Sequence, residues 1–505
     1  MNNSSAILRW LITYAVIVPL AVTLGYLLTN PLDYSTFGFV GVLLVVLAIP
    51  LLLRWHFWLL LFSLNAGITV FFLKGSPSLW MVMVALSLGI SVLERALSSE
   101  KQFIAVPQVT WPLLCLIGVV FMTAKLTGGF GLRMMGSEVF GGKKYILLIG
   151  AILSYFALTA HRIPPRQAKW AVALFFLSGL TYIISDLNGV LPNFVFLFFP
   201  ANARFGELGN YRLGGIAVAA STAIYYLLAR YGIRGIFISG PRWRLILFVL
   251  FFSLSLVSGY RSTLVGLALT FLIQFFLEGM QKTVLLPIFA FVGVCMMVAL
   301  VPLTPKLPFT VQRTLSVVPL LPVSSEAKQD GQATMEWRYN FWRALLPQVP
   351  KHLLLGKGYA ITAEDFEFMG SDSAFKSLDP GQQGLGLSSD YHNGWLSVII
   401  PLGLWGMIAF LWFIGAGAWV VYSNFRYGDP FLLTVNTFLL AAFIRCVLMF
   451  FGGALTTDMM TFAAYVGLSV SLNNGVRRPA PAPVKKPDTF LPARPFPRPR
   501  PVFQR

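Results

Sequence analysis

SSDYHNGWLSVIIPLGLWG, residues 388–406, sets a polar, ionisable head directly against an apolar run that continues to about residue 423. No linker separates the two, and His392 stands on the boundary. Such a run is long enough to cross a hydrocarbon layer of ~30 Å, so the stretch reads as a transmembrane helix leaving a membrane surface. The composition agrees: with 57% hydrophobic and 11% charged residues, a chain of 505 residues has too little polar surface for a soluble globule. The expectation is an all-α polytopic membrane protein.

Working outward, further apolar runs lie near 7–28, 36–53, 55–73, 78–94, 110–126, 145–160, 170–187, 213–230, 244–259, 261–278, 283–303, 430–451 and 457–473. The run at 78–94 and the short one at 457–473 are the weakest, so the chain is expected to hold about 12–14 transmembrane helices. The first run is too long for the apolar core of a signal peptide and lacks a small-residue cleavage site. Inner connections should be rich in Lys and Arg. With the N-terminus inside, they carry Arg54, Arg95, Lys101, Arg162, Arg166, Lys169, Arg230, Arg234, Arg242, Arg244, Lys282 and Arg426. Both termini are then cytoplasmic. The layout is N-terminal helices at 1–200, helices with arginine-bearing outer turns at 201–303, a long outer loop at 304–392, C-terminal helices at 393–473 and a tail at 474–505.

Three outer segments break the charge rule. GGFGLRMMGSEVFGGKK (128–144), ANARFGELGNYRLGG (201–215) and SGYRST (258–263) place Arg133, Lys143, Lys144, Arg204, Arg212 and Arg261 on the face the bias disfavours. An anionic ligand there would compensate. Of Arg204 and Arg212, eight residues apart, Arg212 is favoured because it directly precedes the next span. Arg445 lies a turn or two inside its span and should line a polar cavity or pair internally, with Asp458 as its candidate partner. In the long loop, MEWRYNFWRALLPQ (335–348) reads as an amphipathic helix, with Trp337, Phe341 and Leu345 on one face and Pro347 ending it.

The net charge of +19 is concentrated partly in the tail, where eight Lys or Arg from Arg477 onward face the single acid Asp488. That Pro-rich segment is expected to be disordered and suited to anionic membrane lipids; no folded module accompanies it to suggest nucleic acid. Cys115, Cys295 and Cys446 sit in separate apolar runs and form no disulfide framework. His56 and His161 fall on the face opposite His392, with no carboxylate at ligand spacing, and the loop acids Glu364, Asp365 and Glu367 read as a solvated surface. No metal and no other cofactor is therefore expected.

The ordered set YRLGG (211–215), SGYRSTLVGL (258–267), WRYNFWRALLPQVPKHLLLGKGYA (337–360) and DYHNGWLSVIIPLGLWG (390–406) resembles the O-antigen ligase and O-antigen polymerase superfamily. These are GT-C-like membrane glycosyltransferases that draw on a polyprenyl-diphosphate-linked glycan donor at the outer face of the bacterial inner membrane. The resemblance implies that Arg212 and Arg261 bind the donor diphosphate and that His392 is the general base. It also implies that Arg338 meets phosphate or sugar, and that Arg338, Trp342, Gly356 and Gly358 keep the family pattern. Arg204, Tyr391, Asn393, Arg445 and Asp458 would support the site. The acceptor would be lipid A-core for a ligase or a growing glycan for a polymerase. Two positions depart: the turn reads Gly-Tyr-Arg where Ser-Arg is common, and Ser221 stands where Asn is common.

A polytopic transporter also fits many spans with Arg445 inside the membrane. A non-catalytic lipid-binding membrane protein fits as well, with the basic face holding only headgroups; HNG alone then describes an interfacial histidine capping a helix.

Overall fold

The structure, a computed structural model, describes residues 34–73, 75–98, 102–128, 141–201, 203–205, 211–361, 384–386 and 389–478, with isolated residues at 14, 17–19, 21–23, 25, 29, 363, 365 and 367. The first span near 7–28, Arg133, Glu364 and the tail from 479 fall wholly or largely outside them.

The described chain is a helical membrane bundle. Its main helices are α1 (Tyr34–Ser63), α2 (Leu79–Leu97), α3 (Pro107–Leu126), α4 (Lys143–Thr159) and α5 (Ala168–Leu177), the last continued by a 3-10 turn and a further short α-helical stretch to Asp186. A hairpin of β1 (Ala203–Phe205) and β2 (Tyr211–Leu213) precedes α6 (Gly214–Phe237), α7 (Arg242–Val257), α8 (Arg261–Leu277) and α9 (Leu285–Leu303). The long loop holds α10 (Phe309–Leu315) and α11 (Ser325–Leu345), and the chain closes with α12 (Gly394–Tyr427), α13 (Leu433–Met449) and α14 (Leu455–Asn473). Seven helices among the described residues are long and apolar enough to span a membrane.

Two sequence expectations shift. The runs at 36–53 and 55–73 are not separate spans, because α1 passes without interruption through Pro50 and Arg54. The second run then loses its helix after Ser63: Thr69 N–H donates to Phe198 O at 2.7 Å, and Gly67 lies so close to the Tyr182 ring that no side chain fits. The loop helix starts ten residues before Met335. Ser324 Oγ accepts from Ala327 N–H at 3.3 Å and supplies the cap that lets the polar stretch SSEAKQDGQ wind into its first turns.

Residues facing the core are buried while α9 has no buried residue, as expected of a helix whose solvent is lipid. A buried amide knot ties α12, α13 and α14: Asn424 Nδ2 donates to Ser469 Oγ at 3.0 Å, and Asn436 and Asn473 exchange side-chain bonds of 3.1 and 2.9 Å. Such polar contacts between membrane helices fix their register.

The GKG loop explains its glycines through α12. Pro401 and Gly403, the latter at φ 67°, interrupt the helix. The freed carbonyls of Ile400 and Pro401 accept from Lys357 N–H (2.8 Å) and Gly358 N–H (2.9 Å), and Leu404 N–H donates to Leu353 O at 2.6 Å. Gly356 and Gly358 sit at φ 75° and 78°, in the left-handed region, where a Cβ would also run into Pro401 O and Thr127 respectively. Irregular backbone is tolerated inside a membrane protein when its polar groups are satisfied in this way. Lys357 Nζ is ion-paired with Asp365, so that acid is part of the loop's anchorage and not a solvated surface group.

Candidate functional site

The turn before α8 and the hairpin before α6 are stitched together by backbone: Leu213 N–H donates to Ser258 O at 3.1 Å. That bond brings Arg212 and Arg261 to one place. The β1–β2 register sets Arg204 directly opposite Arg212.

Both arginines meet a residue the sequence reading did not single out, Asp330. Arg261 Nη2 donates to Asp330 Oδ2 at 2.6 Å and to Thr334 Oγ1 at 3.3 Å, while Arg212 Nη2 lies 3.5 Å from Oδ1. A third arginine, Arg313 from α10, donates through Nε to the same Oδ2 at 2.6 Å and through Nη1 to Gly259 O at 3.0 Å. One carboxylate thus sits among three guanidinium groups. Gly331 permits the approach: an added Cβ there would fall 2.4 Å from Arg261 Nη1. A glycine inside a helix costs about 1 kcal/mol relative to alanine, and this one lets Arg261 reach the helix backbone at Asp330 O, 3.2 Å away.

Asp330, Thr334, Trp337, Arg338 and Phe341 follow each other at i, i+4, i+7, i+8 and i+11, so they form one face of α11. Toward the C-terminal end of that face stands His392, its ring centroid 5.7 Å from that of Trp337 in an edge-to-face arrangement. The rise between residues 330 and 337 is about 10 Å, which separates the levels of the arginine cluster and the histidine along the helix. Arg338 lies on the same face; burial pulls its pKa down from the ordinary arginine value, and its Nε is buried without a hydrogen-bond partner.

His392 is held at φ 45°, a left-handed conformation unusual for a side-chain-bearing residue. Its neighbours impose that conformation. Tyr391 is buried against Phe341, and Trp342 Nε1–H donates to Tyr391 O at 3.0 Å. Asn393 Oδ1 accepts from Leu396 N–H at 3.2 Å, capping α12. Burial raises the Tyr391 hydroxyl pKa well above the phenol range, so that residue packs as a neutral group. Tyr391, Asn393 and Trp342 are accordingly positioning residues for the histidine.

Below the cluster lies a cavity of about 570 Å³, lined among others by Ser221, Tyr225, Tyr260, Ser262, Arg445 and Asp458. Arg445 does line a polar cavity, but the expected salt bridge to Asp458 does not form. Its guanidinium stacks 5.3 Å from the Tyr225 ring, while Asp458 Oδ2 accepts from Ala454 N–H at 3.1 Å at the start of α14. The carboxylate is drawn to the helix N-terminus, where the positive end of the helix dipole and an unpaired N–H await it.

Lys143 and Lys144 open α4. His56 and His161 depart from the sequence expectation: the fold joins them to Glu94, each contributing a potential ligand atom within 4.8 Å of the others, at the opposite end of α4 from these lysines. Sequence spacing hid this set because its members come from three separate segments.

A multi-pass helical membrane protein with a guanidinium cluster, a positioned histidine and an adjoining intramembrane cavity is the class these features define. Residues 245–411 match the family model described as O-Antigen ligase, in agreement with the resemblance read from the motifs. The matched segment contains Arg261, Arg313, Asp330, Arg338 and His392, whereas Arg212, Arg445 and Asp458 lie outside it. It is a family of membrane glycan-transferring ligases and polymerases. No curated protein matches the chain.

Proposed function

We propose that the protein is a membrane glycosyltransferase that moves a glycan from a polyprenyl-diphosphate carrier to an acceptor hydroxyl, at the outer face of a bacterial inner membrane. The observation that carries this reading is the convergence of guanidinium groups: Arg212, Arg261 and Arg313 all meet at Asp330, with Arg338 on the same helix face. Such a cluster suits a diphosphate, whose oxygens accept paired bonds from planar guanidinium groups. Asp330 holds the anion position between turnovers, and the donor replaces it.

In the transfer, the acceptor oxygen bonds to the sugar C1 as the C1–phosphate-oxygen bond breaks. The electron pair leaves on the diphosphate, and His392 takes the acceptor proton. Charge grows on the leaving group, so fixed arginines there stabilise the transition state more than the ground state and fill the role a metal ion would otherwise serve. An imidazole ring nitrogen carrying its lone pair is the side-chain acceptor suited to take that proton. The rise of about 10 Å between the levels of the two groups along α11 leaves room for the phosphate, the sugar C1 and the attacking hydroxyl between guanidinium and base. Attack opposite the leaving group inverts the anomeric centre.

The test is transfer in vitro with purified protein and lipid-diphosphate glycan. His392→Ala and Arg261→Ala should each lose at least a hundredfold in rate; full activity in both removes the site assignment. Incubation with donor and lipid-linked oligosaccharide alone lengthens chains for a polymerase, whereas a ligase needs lipid A-core. If donor-derived lipid headgroups bind but no glycan moves under either condition, the non-catalytic lipid-binding alternative holds instead.

A further inference from the structure

The His56, Glu94 and His161 cluster is separated from the Lys143 end of α4 by about 24 Å of helix, and it opens on its own cavity of about 280 Å³. His56 comes from α1, Glu94 from α2 and His161 from the turn after α4, with one potential ligand atom from each within 4.8 Å of the others. The ring orientations are set by two serines one turn apart on α2. Ser91 Oγ–H donates to Ser87 O at 2.7 Å, so at 3.0 Å from His161 Nε2 it acts as the acceptor. Nε2 therefore carries the proton, and Nδ1 carries the lone pair.

Ser87 Oγ lies 2.9 Å from His56 Nδ1 and holds that ring in place. Ser87, Ser91 and Glu94 stand at i, i+4 and i+7, so one face of α2 supplies both orienting hydroxyls and the carboxylate. Histidine with one ring nitrogen held by an oxygen and the other carrying a lone pair is the form that binds metals. Two imidazoles and a carboxylate match the borderline preference of a zinc-class ion and leave a fourth position open.

We infer that His56, Glu94 and His161 bind one divalent transition ion of the zinc class, tying α1, α2 and the end of α4 together. Tetrahedral ligation sets ligand atoms about 3.3 Å apart, so the cluster closes around the ion by roughly an ångström of side-chain movement. Arg54 and Arg162 also line the cavity. Both are exposed, so solvent screens their charge, and Glu94 neutralises part of the ion's. The fourth position faces the cavity, where water completes the shell. The site does not depend on the glycosyl-transfer reading.

The experiment uses the full chain in detergent, stripped with chelator and titrated with Zn²⁺ alone, with Co²⁺ in parallel for its visible spectrum. Wild type should take up one equivalent at micromolar concentration or below, give a four-coordinate Co²⁺ spectrum and unfold at a higher temperature with the ion. Glu94→Gln and His161→Gln should each weaken uptake at least tenfold, while His352→Gln leaves it unchanged. Glu94 is half-buried, so its variant carries the test even if a substitution at the buried His56 prevents folding. The proposal is overturned if wild type takes up no stoichiometric ion, which would make the cluster a hydrogen-bonded set only. Undiminished uptake by the Glu94→Gln, His161→Gln double variant overturns it equally.

Discussion

Replacing Asp330 by Asn separates the two roles assigned to that residue, as structural hub and as stand-in for the donor's anion. The amide keeps the shape and removes the charge. The 2.6 Å bonds from Arg261 and Arg313 are charge-assisted and partly buried, each contributing about 1.5–3 kcal/mol before solvent screening. The 3.5 Å contact to Arg212, whose side chain is 35% exposed, adds at most ~1 kcal/mol. Asn retains part of this bonding, so docking of α11 should weaken by about 2–4 kcal/mol.

The anion site changes in the opposite direction, because three guanidinium groups lose their internal competitor. Binding of a short prenyl diphosphate, measured by calorimetry on detergent-solubilised protein, should tighten about tenfold or more, and the ligand should recover much of the lost thermal stability. A tenfold change corresponds to ~1.4 kcal/mol, well within what one displaced carboxylate can supply. Limited proteolysis across 316–324 reports whether α11 remains docked. Equal or weaker binding in a variant whose α11 remains docked would refute the stand-in argument.

Other outcomes follow from the same geometry. Gly331→Ala should displace Arg261 by steric conflict alone and weaken prenyl-diphosphate binding by about tenfold, while Gly331→Ser should do no better; calorimetry reads both. Gly358→Ala should release the loop from the break in α12 and destabilise the protein by roughly 1–3 kcal/mol, visible as faster proteolysis near 357. Trp342→Phe keeps the packing but deletes the bond to Tyr391 O, so the transfer rate should fall several-fold with donor affinity unchanged. Chelator should leave transfer intact in a Glu94→Gln background, where the zinc-class site is already disabled; loss of activity there would bring a metal into the reaction itself.

The helical class was legible because an apolar run of membrane length is a one-dimensional signal, and charge standing out in an apolar chain pointed to Arg212, Arg261 and His392, on which the proposed function draws. The hub was not. Asp330 lies in a polar patch that reads as loop, and only Ser324, a serviceable helix cap six residues earlier, hinted that α11 begins there. Arg313 follows three prolines and shares no periodicity with the other arginines; its role appears only when α10 folds back on the turn before α8. The expected Arg445–Asp458 pair failed for a local reason, since the N-terminus of α14 offers the carboxylate a nearer partner than an arginine on another helix. The metal-ligand triad was invisible because its members are 38 and 67 residues apart in sequence.

The central claim divides labour between arginines that hold the donor and a histidine that activates the acceptor. Equilibrium donor binding and single-turnover transfer, measured on the same preparations of Arg261→Ala and His392→Ala, test it most directly. The account predicts that Arg261→Ala loses donor affinity and rate together, while His392→Ala binds donor as wild type does and fails to transfer. Loss of donor binding in His392→Ala, or unchanged binding in Arg261→Ala, would contradict it.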